Sequence, residues 1–341
     1  MEAIGTRGRE RVSRHFVRRM VEKGILVLSA SRETEMNWEE TWAHARALLD
    51  GVTRRRMKGA SSEVELALLD WGGEGDLVVL HHANGFCAAS LAPIAKGLSD
   101  RFRVVSIDAR GHGDSTSVSP GEGTDPYGWQ TLAADLDSAI DALLSLTGHE
   151  RVAFGIGHSF GGALFLRAAS ANPAKFERLL LCDPVILPPL TDEDRSRSNA
   201  SALVAKTRER RDRFPSYEAA FEHCRSRALF SDFTPEALAL YVGEGMRPTA
   251  DGEITLKCDR EIEAAIFGAG GTSAVVEGVE GVLADVVIVY AERSDFSREY
   301  FEEVASRMMR ARVEGLDVGH LFPLEEPEHV LKLVDEWMEN P

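Results

Sequence analysis

At 341 residues, 44% hydrophobic and 28% charged, the chain has the composition of an ordinary globular protein, long enough for one large core and a small second lobe. A formal net charge of −16 argues against nucleic acid or an anionic membrane as a main partner, and no apolar run is long enough to cross a bilayer. The four cysteines, Cys87, Cys182, Cys224 and Cys258, lie far apart with no Cys-x-x-Cys pair, so neither a zinc site nor a disulfide framework is expected, and the reading is of free core thiols in the cytoplasm.

The chain opens on a basic segment, Arg7 to Lys23, followed by Ile25-Leu26-Val27-Leu28. That run is too short for a signal-peptide core. The segment reads as a poorly ordered extension; a transit peptide, or a true start at Met20 or Met36, are the alternatives. Residues 1–60 are set apart as this extension, with a helix from Trp38 to Leu49.

The globular pattern begins near Ser62. Val64, Leu66 and Leu68 alternate with Glu63, Glu65 and Ala67, as in a half-buried strand. Leu77-Val78-Val79-Leu80 is a continuous apolar run, as in a strand covered on both faces, and it delivers the chain to His82-Ala83-Asn84-Gly85-Phe86. A helix is expected over Ala88–Leu98 and a buried strand over Val104–Ile107. Asp108 to Ser115 is a polar, glycine-punctuated loop in which His112 and Asp114 read as turn chemistry. Gln130–Leu146 carries Leu132, Leu136, Ile140 and Leu143 at helical spacing.

Val152 to Ile156 is the next apolar run. It turns at Gly157-His158-Ser159-Phe160-Gly161 and continues as a helix that Asn172-Pro173 stops, because proline lacks an N–H and pushes its predecessor out of the α region. Strand, Gly-x-Ser-x-Gly turn, helix is the context in which this motif carries chemistry. Glycines leave room for a sharp reversal, the serine oxygen is pushed out above the sheet, and the helix N-terminus offers free N–H groups to developing negative charge. Ser159 is the candidate nucleophile. His158 beside it reads as packing or bonding locally.

Leu179–Cys182 is a further buried strand ending in Asp183-Pro184. Composition then changes, and residues 187–257 read as a helical insertion without buried strands: one helix from about Glu193 to Arg213, one capped by Ser216, and one opened by Thr234-Pro235. The glycine-rich stretch at Gly268 to Gly271 reads as a connector. Val286–Tyr290 resumes the sheet and ends in Glu292-Arg293-Ser294-Asp295. A helix over Glu299–Met309, a short strand near Val313, the loop Asp317–Pro323 with His320, and a last helix from Pro327 complete the chain. Strands alternating with helices predict an α/β fold: a mostly parallel sheet with helices on both faces, in residues 61–186 and 258–341. Working groups in such sheets collect beyond the strand C-termini, where Ser159, Asp295 and His320 all fall.

A serine needs a base, and the base needs a carboxylate to fix its tautomer. With the order serine, acid, histidine and the five stretches quoted (82–86, 108–115, 157–162, 292–295, 319–320), the chain from Ser62 onward resembles the α/β-hydrolase superfamily, in particular its cap-bearing esterase-like members. That resemblance implies Ser159 as nucleophile, His320 as base and Asp295 as acid, with Asp183 the alternative acid. It implies backbone N–H groups of Phe160 and Phe86 as an oxyanion hole, and the insertion as a cap over the site. Asn84-Gly85 stands where many members carry His-Gly, and Asn84 could add a side-chain donor. Phe86, Phe160 and Phe322 are expected to wall an apolar pocket.

The function expected is hydrolysis of an ester, thioester or related acyl bond of a small molecule through an acyl-enzyme, with no cofactor and no metal. The alternatives are carbon–carbon bond hydrolysis, a lyase or perhydrolase reaction on the same triad, or a slow-turnover small-molecule receptor. A nicotinamide-dependent reductase fails on spacing, since Phe160 stands where Gly-x-Gly-x-x-Gly requires glycine. A haloalkane dehalogenase or epoxide hydrolase would carry a carboxylate at 159. Substrate and oligomeric state are not legible in the sequence.

Overall fold

A computed structural model describes residues 37–119, 125–187, 199–270 and 273–339. The basic segment with its alternative starts, and the first part of the helix expected from Glu193, lie outside these residues.

Within them the chain runs α1 (Trp38–Ala47), β1 (Thr53–Lys58), β2 (Glu65–Gly72), β3 (Leu77–His81), a 3₁₀ turn (Ala88–Leu91) leading into α2 (Ala92–Leu98), β4 (Arg103–Ile107), α3 (Trp129–Thr147), β5 (Val152–His158), α4 (Phe160–Ala171) and β6 (Phe176–Cys182). An insertion follows: α5 (Asn199–Glu209), β7 (Arg213–Phe214), α6 (Tyr217–Arg225), α7 (Pro235–Gly245), β8 (Met246–Pro248), β9 (Ile254–Leu256) and α8 (Arg260–Ala269). The sheet resumes with β10 (Asp285–Ala291), α9 (Arg298–Ser306) and β11 (Ala311–Leu316), and α10 (Phe322–Glu325) and α11 (Pro327–Glu339) close the chain.

The main sheet has eight strands in the order β1-β2-β4-β3-β5-β6-β10-β11. β1 and β2 are antiparallel to their neighbours, and the strands from β4 to β11 run parallel. Every residue of β3 and β5 is buried, because helices cover both faces there. The core is correspondingly split in two by the sheet: α2 and α11 pack on one side through Leu98, Val330 and Trp337, and α3 and α4 on the other through Leu136, Ile140, Phe165 and Leu166. The α3 stripe lies where its spacing places it, with Leu132, Leu136, Ile140 and Leu143 all buried, and Gly148 ends the helix in the left-handed conformation.

Two differences from the sequence reading concern boundaries. Thr53–Lys58 is a strand of the main sheet, paired antiparallel with β2, although it falls in the stretch set apart as an extension. Its Thr-Arg-Arg-Arg-Met-Lys sequence hides this, because an edge strand needs only one covered face and tolerates charge. The insertion also contains a small three-stranded sheet, β7-β9-β8, whose strands of two or three residues are too short to show a period. Its helix starts do follow the sequence: the Ser216 and Thr234 side chains accept from Ala219 N and Ala237 N, and Pro235 occupies the first turn. The four cysteines are all free and buried. No helix of the described residues is long and apolar enough to cross a membrane.

Candidate active site

The site grows from the turn between β5 and α4. Ser159 sits there with φ 55° and ψ −114°, a conformation that costs a non-glycine residue roughly 1–3 kcal/mol and persists only when its surroundings impose it. Three backbone bonds do so: Ser159 N–H donates to Cys182 O (2.9 Å), and Ser159 O accepts from Ala163 N (3.2 Å) and Val185 N (3.1 Å). The flanking glycines are required by space. A Cβ on Gly157 would lie 2.5 Å from Gly162 N, and one on Gly161 would lie 2.6 Å from His81 O.

His320 arrives on the loop between β11 and α10. Its Nε2 lies 2.9 Å from Ser159 Oγ, and its Nδ1 lies 2.6 Å from Asp183 Oδ2. A proton on Nδ1 faces the carboxylate, which leaves Nε2 as the acceptor for the serine hydroxyl. This is the tautomer that a general base requires. Asp183 ends β6, the strand next to β5, and is fully buried with a positive φ of 44°. Its other oxygen accepts from Ala291 N–H (3.0 Å) and Ser294 Oγ–H (3.3 Å).

The carboxylate at His320 is therefore Asp183 rather than Asp295. Asp295 is exposed, four residues past the end of β10. The physical reason is distance along the chain: a residue directly at the end of the strand beside the serine strand is held by the sheet, whereas one further out on a loop is not. The 292–295 loop still serves the site, through Ser294. His158 behaves as read, donating Nε2–H to His320 O (2.9 Å) and so tethering the histidine loop to the serine turn. Its Nδ1 is buried without a partner among the described residues.

The stretch 83–86 is a β-turn closed by Phe86 N–H on Ala83 O (3.1 Å), with Gly85 at φ 82°, as a type II turn demands of its third residue. This corrects the donor expected from the sequence. Phe86 N–H closes the turn and Gly85 N–H donates to His112 Nε2 (3.0 Å), while Asn84 N–H has no acceptor among the described residues. Phe160 N–H, at the first position of α4, has none there either. The turn was foreseeable, since Asn-Gly places glycine third and gives the closing N–H to the fourth residue. One Nδ2–H of the Asn84 side chain is taken by Glu263 O at 3.0 Å, and its Oδ1 lies 3.1 Å from His112 Nε2, so the side chain is turned toward Glu263 and His112. Nor do the phenylalanines wall a pocket together. Phe322 and Phe160 are fully buried in opposite halves of the core, Phe160 edge-on to Trp129, and Phe86 packs on Tyr241 and Phe233.

Buried histidines support this machinery, and sequence reasoning gave them no such role. His81 Nδ1–H donates to His82 O, His82 Nδ1–H to Ala83 O, and His112 Nδ1–H to Arg110 O, while His82 Nε2 accepts from Ala109 N–H. Burial pushes His81 and His112 down to about 4 and His158 to about 3, so all three are neutral at pH 7. Asp108 caps Ala88 N and Asp114 N, and burial pushes it up to about 6. His112 and Asp114, read as turn chemistry, instead reach beyond their own loop: His112 Nε2 accepts from Gly85 N–H, and the Asp114 carboxylate pairs with Lys257 and Arg54.

These shifts set an acid limit. A histidine held below its unfolded value of 6.5 binds its proton only in the unfolded chain as pH falls, so stability is complete above pH 6.5 and drains between 6.5 and about 4. Each unit of depression is worth about 1.4 kcal/mol. Asp108 acts in the opposite direction, as do the carboxyls of Glu236, Glu263, Glu325 and Glu328, which burial also pushes upward, but those four glutamates start from the ordinary carboxylate range below most of this window. Urea midpoints measured from pH 7 to pH 4.5 should fall steadily through that window, above the range of ordinary carboxylates; a flat profile would mean that the rings are already charged in the fold.

With this geometry in hand, comparison with known proteins is decisive on one point. Residues 78–332 match the model of the alpha/beta hydrolase family. The chain is an α/β hydrolase. Among curated proteins, it is 33% identical over 103 residues to protein phosphatase methylesterase 1 of Mus musculus, covering 30% of this chain and 25% of that one. A putative carbamate hydrolase, RutD, of Caulobacter segnis is 32% identical over 106 residues, 31% of this chain and 37% of that one. The chain thus spans only about a quarter to a third of the length of these relatives. Of solved structures, E-2-(acetamidomethylene)succinate hydrolase superposes with a TM-score of 0.69 at 22% identity, covering 84% of this chain and 99% of that one. The thioesterase domain from the curacin biosynthetic pathway gives 0.65 at 20% identity, covering 84% and 99%. At such identities the likeness establishes the fold. Methylesterase and esterase are the names these relatives carry, the second that of a thermophilic enzyme from Thermogutta terrifontis at 22% identity.

Proposed function

We propose that this hydrolase cleaves an ester, thioester or related acyl bond of a small molecule through an acyl-enzyme on Ser159. The observation that carries the reading is the unbroken chain of hydrogen bonds from Ser159 Oγ through the His320 ring to Asp183, at 2.9 and 2.6 Å. In this reading His320 Nε2 takes the hydroxyl proton as Ser159 Oγ attacks the acyl carbon, and the resulting imidazolium is stabilised by Asp183. The carbonyl oxygen gains negative charge between the N–H groups of Phe160 and Asn84, the first of them at the N-terminus of α4, where the helix dipole adds to the field. His320 then returns the proton to the leaving alkoxide or thiolate. Water, activated by the same ring, releases the acid. The insertion between β6 and β10 acts as the cap that selects the substrate. His320 is the accessible member, its side chain one-third exposed (33%) while Asp183 is sealed, so substrate approaches from the histidine side.

The test is labelling with a fluorophosphonate probe followed by peptide mapping. Rapid labelling confined to Ser159, and lost in Ser159→Ala and His320→Ala, is the expected result. Labelling that persists in Ser159→Ala, or a folded wild-type protein that takes up no probe, would sink the proposal.

A further inference from the structure

Beside the 83–86 turn stands a buried group of charged and aromatic residues that the chemistry just described does not use. Glu263, on α8, meets the turn twice. Its backbone carbonyl accepts from Asn84 Nδ2, and its carboxylate lies where a side chain on residue 85 would be, with Oε1 2.5 Å from the position of a Gly85 Cβ. The other oxygen, Oε2, accepts from Arg210 Nη1 at 2.5 Å. Arg210, just past α5, donates through Nη2 to Tyr241 OH at 2.6 Å. The Tyr241 ring, on α7, packs against Phe86 at 5.2 Å, which closes a ring of contacts back onto the turn. Three separate parts of the chain between β6 and β10 thus converge on one four-residue turn.

The location is costly. Glu263 is 7% exposed and Tyr241 1% exposed, and burial pushes the Glu263 carboxyl and the Tyr241 hydroxyl upward. A buried pair of this kind is weak evidence for stability, since apolar residues of similar volume often do as well. What it provides is direction: charge-assisted bonds of fixed geometry, here applied to the backbone on either side of the free Asn84 N–H.

We propose that Glu263, aligned by Arg210 and Tyr241, is a positioning residue for the Asn84 N–H, so that the placement of the insertion sets the quality of the oxyanion hole. The carboxylate fills the space beside Gly85 Cα that a side chain would occupy, and the Glu263 carbonyl anchors the Asn84 side chain. The peptide that carries Asn84 N–H is held through Ala83 O, which accepts from Phe86 N–H and His82 Nδ1–H, and His112 holds the next peptide through Gly85 N–H, so contacts on both sides of residue 84 set the direction of its N–H. The role acts through Asn84 and rests on the oxyanion assignment given under the proposed function. A simple tie between insertion and core would require none of this geometry at the turn.

The experiment first establishes that wild type hydrolyses p-nitrophenyl acetate and that Ser159→Ala does not; a wild type silent toward ester and fluorophosphonate overturns the hydrolase reading itself, before Glu263 is touched. Glu263→Gln then replaces the ionised partner of Arg210 with a neutral one of the same size. The expected result is a kcat about tenfold or more below wild type with KM within about twofold, because a donor displaced by a fraction of its bond length loses transition-state contact while leaving ground-state binding alone. The inhibition constant of phenylboronic acid, whose tetrahedral adduct with serine uses the same hole, should rise by the same factor. Arg210→Met should move both quantities in the same direction, and Asn84→Ala combined with Glu263→Gln should cost less than the product of the two singles. Unchanged kcat and boronate affinity in a Glu263→Gln protein of lowered urea midpoint would overturn the proposal and leave a purely structural tie. If that variant does not fold, Tyr241→Phe, which deletes only the hydroxyl met by Arg210, takes its place in the same two assays: a matching fall in kcat and in boronate affinity supports the positioning role, and no change in either overturns it.

Discussion

Asp183→Asn should lower kcat by about four orders of magnitude while Asp295→Asn stays within about twofold of wild type, measured on any ester the wild type turns over. An asparagine at 183 keeps the size of the side chain but presents an amide that can donate to His320 Nδ1. The ring then places its own proton on Nε2, facing the serine hydroxyl, and can no longer accept from it. The loss is one of tautomer rather than of fold, so circular dichroism and urea midpoint should change little. The two variants separate two carboxylates that sequence order alone leaves open. Asp183 sits 2.6 Å from the ring at the end of the strand beside the serine strand, and Asp295 lies out on an exposed loop. The reverse outcome, with Asp295→Asn inactive and Asp183→Asn normal, would mean that the loop after β10 swings in to replace Asp183 during catalysis.

Asp135→Ala should destabilise the fold by about 3–5 kcal/mol, the usual cost of leaving a buried charge without its partner. Asp135 on α3 holds Arg110 in a two-pronged bond, Nε to Oδ2 at 2.7 Å and Nη2 to Oδ1 at 2.8 Å, and it also accepts from Ala60 N at 2.8 Å. Both side chains are nearly sealed, at 6% and 2% exposure. Removing the carboxylate strands the guanidinium and the Ala60 N–H together. The double variant Arg110→Met, Asp135→Leu removes both charges and should recover most of the loss, because the pair gains little over an apolar replacement of similar volume. Equilibrium urea unfolding of the three proteins reads both effects. A single variant within about 1 kcal/mol of wild type would show that water reaches Arg110. Since Arg110 O also receives His112 Nδ1–H, and His112 in turn holds Gly85, the single variant should lose activity as well as stability.

Local pattern along the chain was enough to place the strands covered on both faces and the helices with a clear stripe or cap. Continuous apolar runs of four or five residues gave β3, β5, β6 and β10 because strands covered on both faces have no polar side to show. The spacing of Leu132, Leu136, Ile140 and Leu143 gave α3, and Thr234-Pro235 gave the start of α7. That Ser159 and His320 belong to one site was legible because a strained strand-to-helix turn needs glycine at both flanks and because both residues fall beyond strand ends. The tertiary structure decided what depends on which strand ends lie side by side. β6 and not β10 is the immediate neighbour of β5, so the carboxylate that meets His320 is Asp183. The Asn-Gly pair announces the turn that consumes Phe86 N–H, but that Gly85 N–H meets His112 while Asn84 N–H has no acceptor among the described residues depends on which distant groups are packed there. The edge strand β1 carries too much charge for its alternation to be seen, and the roles of His81, His82, His112, Arg210 and Glu263 arise only where loops distant in sequence are packed together, since a buried polar residue takes its meaning from the partner it finds.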